Sequence, residues 1–235
     1  MLLEVKDLEV AYGDYQVVWG VSLTVAAGES VALLGPNGSG KSTVVNAITG
    51  LIRSKAGDIR FQDKSLVGEP THARASLGIA HVLERRRVFP HLTVQQNLTL
   101  GAWHPVARAA RAKTTERVFA LFPRMAERKS QLARTLSGGE QQMLALGRGL
   151  MSLPRLLMVD EPFLGLAPQV IELMQAVFET LKSEGMAILF IEQNVRLALS
   201  MASRGYILES GRLAVEGQAA SLVDSREVRR IFLGA

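Results

Sequence analysis

The segment Gly35-Pro36-Asn37-Gly38-Ser39-Gly40-Lys41-Ser42-Thr43 fits the pattern G-x-x-x-x-G-K-[ST]. It follows the apolar run Val31–Leu34 and precedes an apolar-periodic stretch, which is the strand, loop and helix context that such a loop requires. Glycines at 35, 38 and 40 open backbone conformations closed to other residues, so that successive N–H groups converge on one anion. A helix starting near Lys41 adds its positive end to the same point. Lys41 brings a full charge to the terminal phosphates, and the Ser42 hydroxyl can ligate Mg²⁺. Pro36, Asn37, Ser39 and Thr43 complete the cradle. The implied ligand is a nucleoside triphosphate, and the implied fold contains a parallel α/β sheet.

A second segment supports this reading. Arg155–Val159 reads as a buried strand running into Asp160-Glu161-Pro162. An Asp there can hold a Mg²⁺-bound water. Glu161 stands at the carboxyl end of the strand, where open parallel sheets put their chemistry, and is the candidate to accept a proton from an attacking water. A third segment, Leu136-Ser137-Gly138-Gly139-Glu140, carries the capping-box spacing Ser137 to Glu140. Met143, Leu144, Leu146 and Leu150 then follow at helical spacing. A helix that opens Ser-Gly-Gly offers N–H groups with little side chain in front of them.

With these three segments in this order, the chain resembles the ATP-binding subunits of ABC transporters. The resemblance implies a phosphate-loop core of mainly parallel strands, an N-terminal antiparallel β subdomain and an inserted helical subdomain. It implies ATP and Mg²⁺ as ligands. It also implies that Ser137, Gly138, Gly139 and Glu140 face a nucleotide held by the opposite protomer, with two chains closing over two ATP molecules. Ser42 and Asp160 would be the metal-side residues, with Glu84 a third.

Other positions narrow the resemblance. Tyr12 lies where such subunits place an aromatic against adenine, although it could instead pack in the small sheet. Glu84 stands where the broad family has Gln, Gln193 where it has a His near the γ-phosphate, and Ala167 where it often has Asp. Glu84 and Gln193 are therefore candidate catalytic residues of altered type, and Gln193 cannot titrate. The stretches Glu84–Pro90, Glu161–Pro168 and Ile191–Asn194, and the ending Glu227–Gly234, look like the LivF-type subunit of branched-chain amino-acid importers. Leu83 and Arg85 depart from that group, which tends to have Pro and Gly. The subtype implies membrane permease subunits, a second ATP-binding chain of LivG type or a second copy of this one, and indirectly a periplasmic solute receptor. It implies a peripheral place on the cytoplasmic face of the inner membrane. Urea or a short amide as the solute, and a soluble ABC ATPase without a membrane partner, are the alternatives. The Arg85-Arg86-Arg87 run is either a solvated loop or a docking surface for the membrane partner.

Composition agrees with this. At 235 residues, 48% of them apolar, the chain suits one domain, 1–235, with a helical insertion over about 88–152. There is no uninterrupted apolar run of about eighteen residues and no secretory leader pattern. With no cysteine, disulfides and thiolate metal sites are excluded. A net charge of +5 with only 6% aromatics argues against nucleic acid. The four histidines, at 72, 81, 91 and 104, lack metal-ligand spacing. Strands are expected at 3–10, 17–26, 30–34, 58–62, 78–83 and 187–191, with a helix from Pro168 to Glu184 and a hairpin around Ser210-Gly211-Arg212.

Overall fold

The computed structural model describes residues 1–233; Gly234, the last residue of the tail resemblance, lies outside them. Two sheets face each other. The smaller runs β2 (Tyr15–Val25), β1 (Leu3–Tyr12), β4 (Ala56–Phe61) and β5 (Lys64–Ser65), all antiparallel. The larger has the order β10 (Arg212–Gln218), β9 (Arg204–Glu209), β3 (Ser30–Leu34), β8 (Ala187–Glu192), β7 (Leu156–Asp160) and β6 (Ile79–Val82). Its strands are parallel except for β10, which returns from β9 through the Ser210-Gly211 hairpin. Strands β3, β7 and β8 are buried at every position, as expected for strands covered on both faces.

Helix α1 (Lys41–Thr49) fills the space between the sheets, where Val44, Val45 and Ile48 join Leu3, Val5, Val31 and Met158 in one apolar cluster. Arg204 of β9 ties the sheets together. It pairs with Glu29 at 2.7 Å, and Tyr206, which the same guanidinium contacts, accepts from Thr24 N–H.

Helix α2 (Thr71–Ser76) leads into β6. Between β6 and β7 the chain is helical: α3 (Val94–Gly101), α4 (Pro105–Ala109), α5 (Arg111–Leu121), α6 (Pro123–Glu127) and α7 (Gly138–Leu150). The Thr93-x-x-Gln96 box caps α3 as its spacing predicts. Leu98, Val118, Met125, Leu144 and Leu146 of these helices form one core with Val82, Val159 and Phe190 of the large sheet. Helix α8 (Pro168–Ser183) covers the same face through Met174, Phe178 and Leu181, and Phe178 meets Phe190 edge to face at 5.0 Å. Helices α9 (Val195–Met201), α10 (Ala219–Val223) and α11 (Arg226–Leu233) close the structure against β3 and β9.

The expected elements recur with shifted ends. Strand β1 continues through Ala11 and Tyr12, and β2 begins at Tyr15, so the first turn is a tight hairpin. The strand expected at 78–83 is shorter, Ile79–Val82, and Leu83 is exposed.

Candidate functional site

The loop 35–43 leaves the carboxyl end of β3, an interior strand of the large sheet. A side chain at Gly35 would collide with Ser39 Oγ and the Leu208 carbonyl, so the loop passes this point only as glycine. Gly38 and Gly40 have φ of 79° and 102°, in the left-handed region that disfavours other residues. The β9–β10 hairpin supports the loop from behind, with Gly211 N–H donating to the Ser39 carbonyl at 3.0 Å. Helix α1 begins at Gly40 with no side-chain cap and no acidic residue in its first turn. Its leading N–H groups and dipole are therefore directed at whatever anion the loop holds. Lys41 is buried, and its Nζ donates to the carbonyls of Gly35 at 2.8 Å and Pro36 at 3.1 Å. Burial lowers its pKa, while Glu161, Asp160 and Glu192 pull the other way. Ser42 points to solvent, and Ser39 Oγ is buried without a partner among the described residues.

Opposite the loop, β7 delivers Asp160, only 6% exposed, and Glu161, half-buried. Burial raises Asp160 to about 6, and the charges of Glu161 and Glu84 add to the rise. Such mutual repulsion is what a divalent cation relieves. No three His, Cys, Asp or Glu among the described residues form a metal cage. Mg²⁺ takes most of its ligands from water and phosphate, and the Ser42 hydroxyl and Asp160 are the protein groups that would hold it. Glu161 adopts φ 45°, an uncommon left-handed conformation, with its N–H donating to Ile191 at 2.8 Å. Glu84 is paired with Arg85 at 3.1 Å.

The Ser137 segment does not join this cluster. Ser137 Oγ accepts from Glu140 N–H at 3.3 Å, and Glu140 Oε2 accepts from Ser137 N–H at 2.8 Å, so the capping box is closed. The Glu140 carboxylate is further engaged by Arg128 at 3.3 Å. Burial raises the Glu140 pKa, but its bonds to Ser137 and the nearby arginines outweigh that and hold it low. A side chain at Gly138 would run into the Arg86 guanidinium, and one at Gly139 into Val170 of α8. No hydrogen bond or ion pair among the described residues links Ser137–Glu140 to residues 35–43. The start of α1 and the start of α7 are thus separate features of one chain, the first without a side-chain cap and the second closed by its own capping box.

Tyr12 ends β1, and its hydroxyl lies 3.5 Å from Thr43 Oγ1 of α1, with the residue 51% exposed. Gln193 is exposed past the end of β8, and Ala167 caps α8 without any side-chain bond. Three features escape the sequence. Glu192 is a buried carboxylate between the loop strand and the acidic strand. Arg86 lies over Gly138, and the hairpin supports the loop through Gly211. An Asn or Ser would have announced a cap, but nothing local announces a fully buried Glu at a strand end.

A family model described as ABC transporter matches residues 18–164. The branched-chain amino acid transport ATP-binding protein BraG of Pseudomonas aeruginosa is 42% identical over 233 residues, covering 99% of this chain and 100% of that protein. The lipopolysaccharide export system ATP-binding protein LptB of Escherichia coli K12 is 32% identical, covering 99% of this chain and 97% of that protein. Among solved structures, the ADP conformation of MJ1267, an ATP-binding cassette of an ABC transporter, superimposes with a TM-score of 0.87. That match has 25% identity and covers 100% of this chain and 99% of the other. With the phosphate loop, the acidic strand and the Ser-Gly-Gly helix in place, the chain belongs to the ABC transporter family, as an ATP-hydrolysing subunit.

Proposed function

We propose that this subunit energises import of branched-chain or related hydrophobic amino acids. The observation that carries the reading is the 42% likeness to BraG along the full length of both chains, against 32% to LptB. LptB favours a different cargo, so the solute is the point under test.

The proposed cycle uses two chains. The loop 35–43 and Lys41 hold the phosphates of one ATP, Tyr12 lies against its base, and Ser137–Glu140 of the other protomer covers its terminal phosphate. The separation of the two helix ends within one chain supports this division. Mg²⁺, when bound, supplies charge neutralisation at the phosphates. Glu161 accepts the proton of the attacking water, and Gln193 donates a hydrogen bond near the γ-phosphate without changing charge. The backbone N–H groups of the loop stabilise charge as it builds on the transferring phosphoryl. Glu84 acts on the same site through the charge of Asp160.

The proposed organisation is one domain, 1–235, with an inserted helical subdomain over about 88–152. Its membrane side is a groove of about 550 Å³ between the large sheet and the helices. Exposed Leu51, Leu83, Phe89, Leu100 and Trp103 line it. The groove suits a cytoplasmic helix of a permease subunit, beside the Arg85-Arg86-Arg87 run. No helix among the described residues is long and apolar enough to cross a membrane. The likeness to BraG along both whole chains supports a peripheral place on the cytoplasmic face. A LivG-type chain or a second copy completes the pair.

The test is transport by the co-purified membrane complex in proteoliposomes with ATP supplied on the side of this subunit. Leucine, isoleucine or valine should accumulate with the parent and not with Glu161→Gln, which still binds ATP. A complex that moves some other solute and none of these overturns the substrate reading. Near-parent hydrolysis by Glu161→Gln removes Glu161 from its role.

A further inference from the structure

The strand order places β8 between β3 and β7, so the end of β8 lies between the phosphate loop and the acidic strand. Its last residue is Glu192, in register with Leu34 immediately before Gly35, while its neighbour Ile191 is in register with Asp160. Glu192 is 5% exposed. Its Oε2 accepts from Gln193 N–H at 3.2 Å and from Asn194 N–H at 3.5 Å, and the Phe163 N–H faces the same carboxylate. Its Oε1 is buried with no partner among the described residues. Burying a carboxylate costs several kcal/mol, and a neutral side chain of similar size would avoid that. Fold stability is therefore a poor reason for a Glu at this point.

We propose that Glu192 is a positioning residue for ATP hydrolysis, whose carboxyl group joins the backbone of Gln193 to the turn after Glu161 and fixes both sides of the γ-phosphate site. Its hydrogen bonds run to Gln193 and Asn194, and the Phe163 N–H that faces it comes from a segment far away in the chain. Asn194 and Gln193 begin the connection to α9, and Phe163 belongs to the loop that leads from Glu161 to α8. The role at 192 presupposes that Glu161 accepts the proton of the attacking water, as in the proposed cycle.

The charges facing Glu192 are Glu161 at the end of β7 and Lys41 at the start of α1. Burial raises the carboxyl to about 7, backbone N–H bonds from Asn194 and Gln193 oppose that, and the charge of Glu161 adds to the rise. The neutral form gives Oε1 a proton to donate and keeps a further negative charge away from the phosphates. Holding a carboxylic acid neutral near pH 7 so that it can donate is a known use of burial.

The test compares the full-length parent, Glu192→Gln and Glu192→Ala in the membrane complex. It reads kcat and KM for ATP across pH 5.5–8.5, with thermal midpoints alongside. Glu192→Ala should lower kcat tenfold or more while KM stays within about threefold. Glu192→Gln keeps an acceptor oxygen and permanently resembles the neutral carboxyl. It should stay within threefold of the parent at pH 6.5 and lose the fall in kcat that the parent shows through about pH 7. A parent without that fall, a Glu192→Ala enzyme within twofold of it, or a Glu192→Gln enzyme as slow as Glu192→Ala overturns the proposal. Should Glu192→Ala fail to fold, Glu192→Gln decides: a flattened limb upholds the idea, and a parent-like limb or a tenfold loss overturns it. Glu161→Gln, assayed in parallel, tests the separate role of Glu161 and leaves the comparison at 192 readable.

Discussion

Lys41 holds two neighbouring carbonyls of its own loop, Gly35 and Pro36, at 2.8 and 3.1 Å. The side chain is thus already aimed along the loop rather than away from it. Charge-assisted bonds to phosphate are each worth about 1.5–3 kcal/mol, so Lys41→Ala should weaken ATP binding by one or more tenfold steps with little change in fold. Equilibrium binding of a fluorescent ATP analogue measures this, and an unchanged Kd would contradict it. Arg74 shows the opposite case, a charge used for architecture. It is buried, and its guanidinium donates to Ala47 at 2.6 Å, Ile48 at 2.9 Å, Leu66 at 2.8 Å and Glu69 at 2.9 Å. Two of these acceptors, the Ala47 and Ile48 carbonyls, lie in the last turn of α1, where a helix runs short of internal donors, although Ala47 also accepts from Gly50 N–H at 3.2 Å. Arg74→Ala should destabilise by about 3 kcal/mol. Arg74→Lys should recover little, because one ammonium cannot reproduce the planar fork. Urea unfolding of the two variants checks both statements. In the sequence Arg74 is one basic residue among many, and only the packing of α2 against α1 reveals its acceptors.

Helix α8 illustrates how elements carry signals of unequal strength. Its Pro168 at the first position and Gly185 just beyond its end are legible because each residue type is tied to one backbone conformation. Its N-cap, Ala167, has the extended geometry of a capping residue, φ −69° and ψ 150°, but no side-chain oxygen. Ala167→Ser or Ala167→Asp should therefore stabilise the protein by about 1 kcal/mol by accepting from an N–H of the first turn. A thermal midpoint that falls in both variants would show that the turn rejects the longer side chain. Other elements leave weaker marks. Helix α2 has six residues and α9 seven, too short for a hydrophobic period to stand out, so the sequence announces neither. The two central strands are legible as apolar runs, and the capping boxes at Thr93 and Ser137 as spacings. The phosphate loop, Asp160 and Glu161 are legible because their residue types are tied to local chemistry. Glu192 and Arg86 are not, because their surroundings come from segments far apart in the chain.

At the scale of the whole molecule, stability against pH depends on buried groups with opposing signs. Asp160 and Glu192 are raised, so the native state holds protons that the unfolded chain releases, and their contribution falls as pH rises from about 4 towards 7. His81 acts the other way. It lies on β6 at the floor of the groove, with neither ring nitrogen partnered among the described residues, and burial lowers it from 6.5 to about 4. The unfolded chain then takes up a proton below pH 6.5 that the native state refuses until about 4, so stability is lost as pH falls through that window. From the linkage relation, His81 should cost the native state about 2 kcal/mol between pH 7.5 and pH 5. In His81→Gln, which cannot titrate, that component should vanish. The variant should consequently gain about 2 kcal/mol relative to the parent on acidification, whatever its own stability at pH 7.5. Urea unfolding of both proteins at the two pH values measures the difference of differences, in which the carboxylate contributions cancel. Equal acid sensitivity in the two would show that the His81 ring finds water in the groove and titrates as an ordinary histidine. The groove floor would then be wet, and a docking helix would have to displace that water instead of meeting a dry surface.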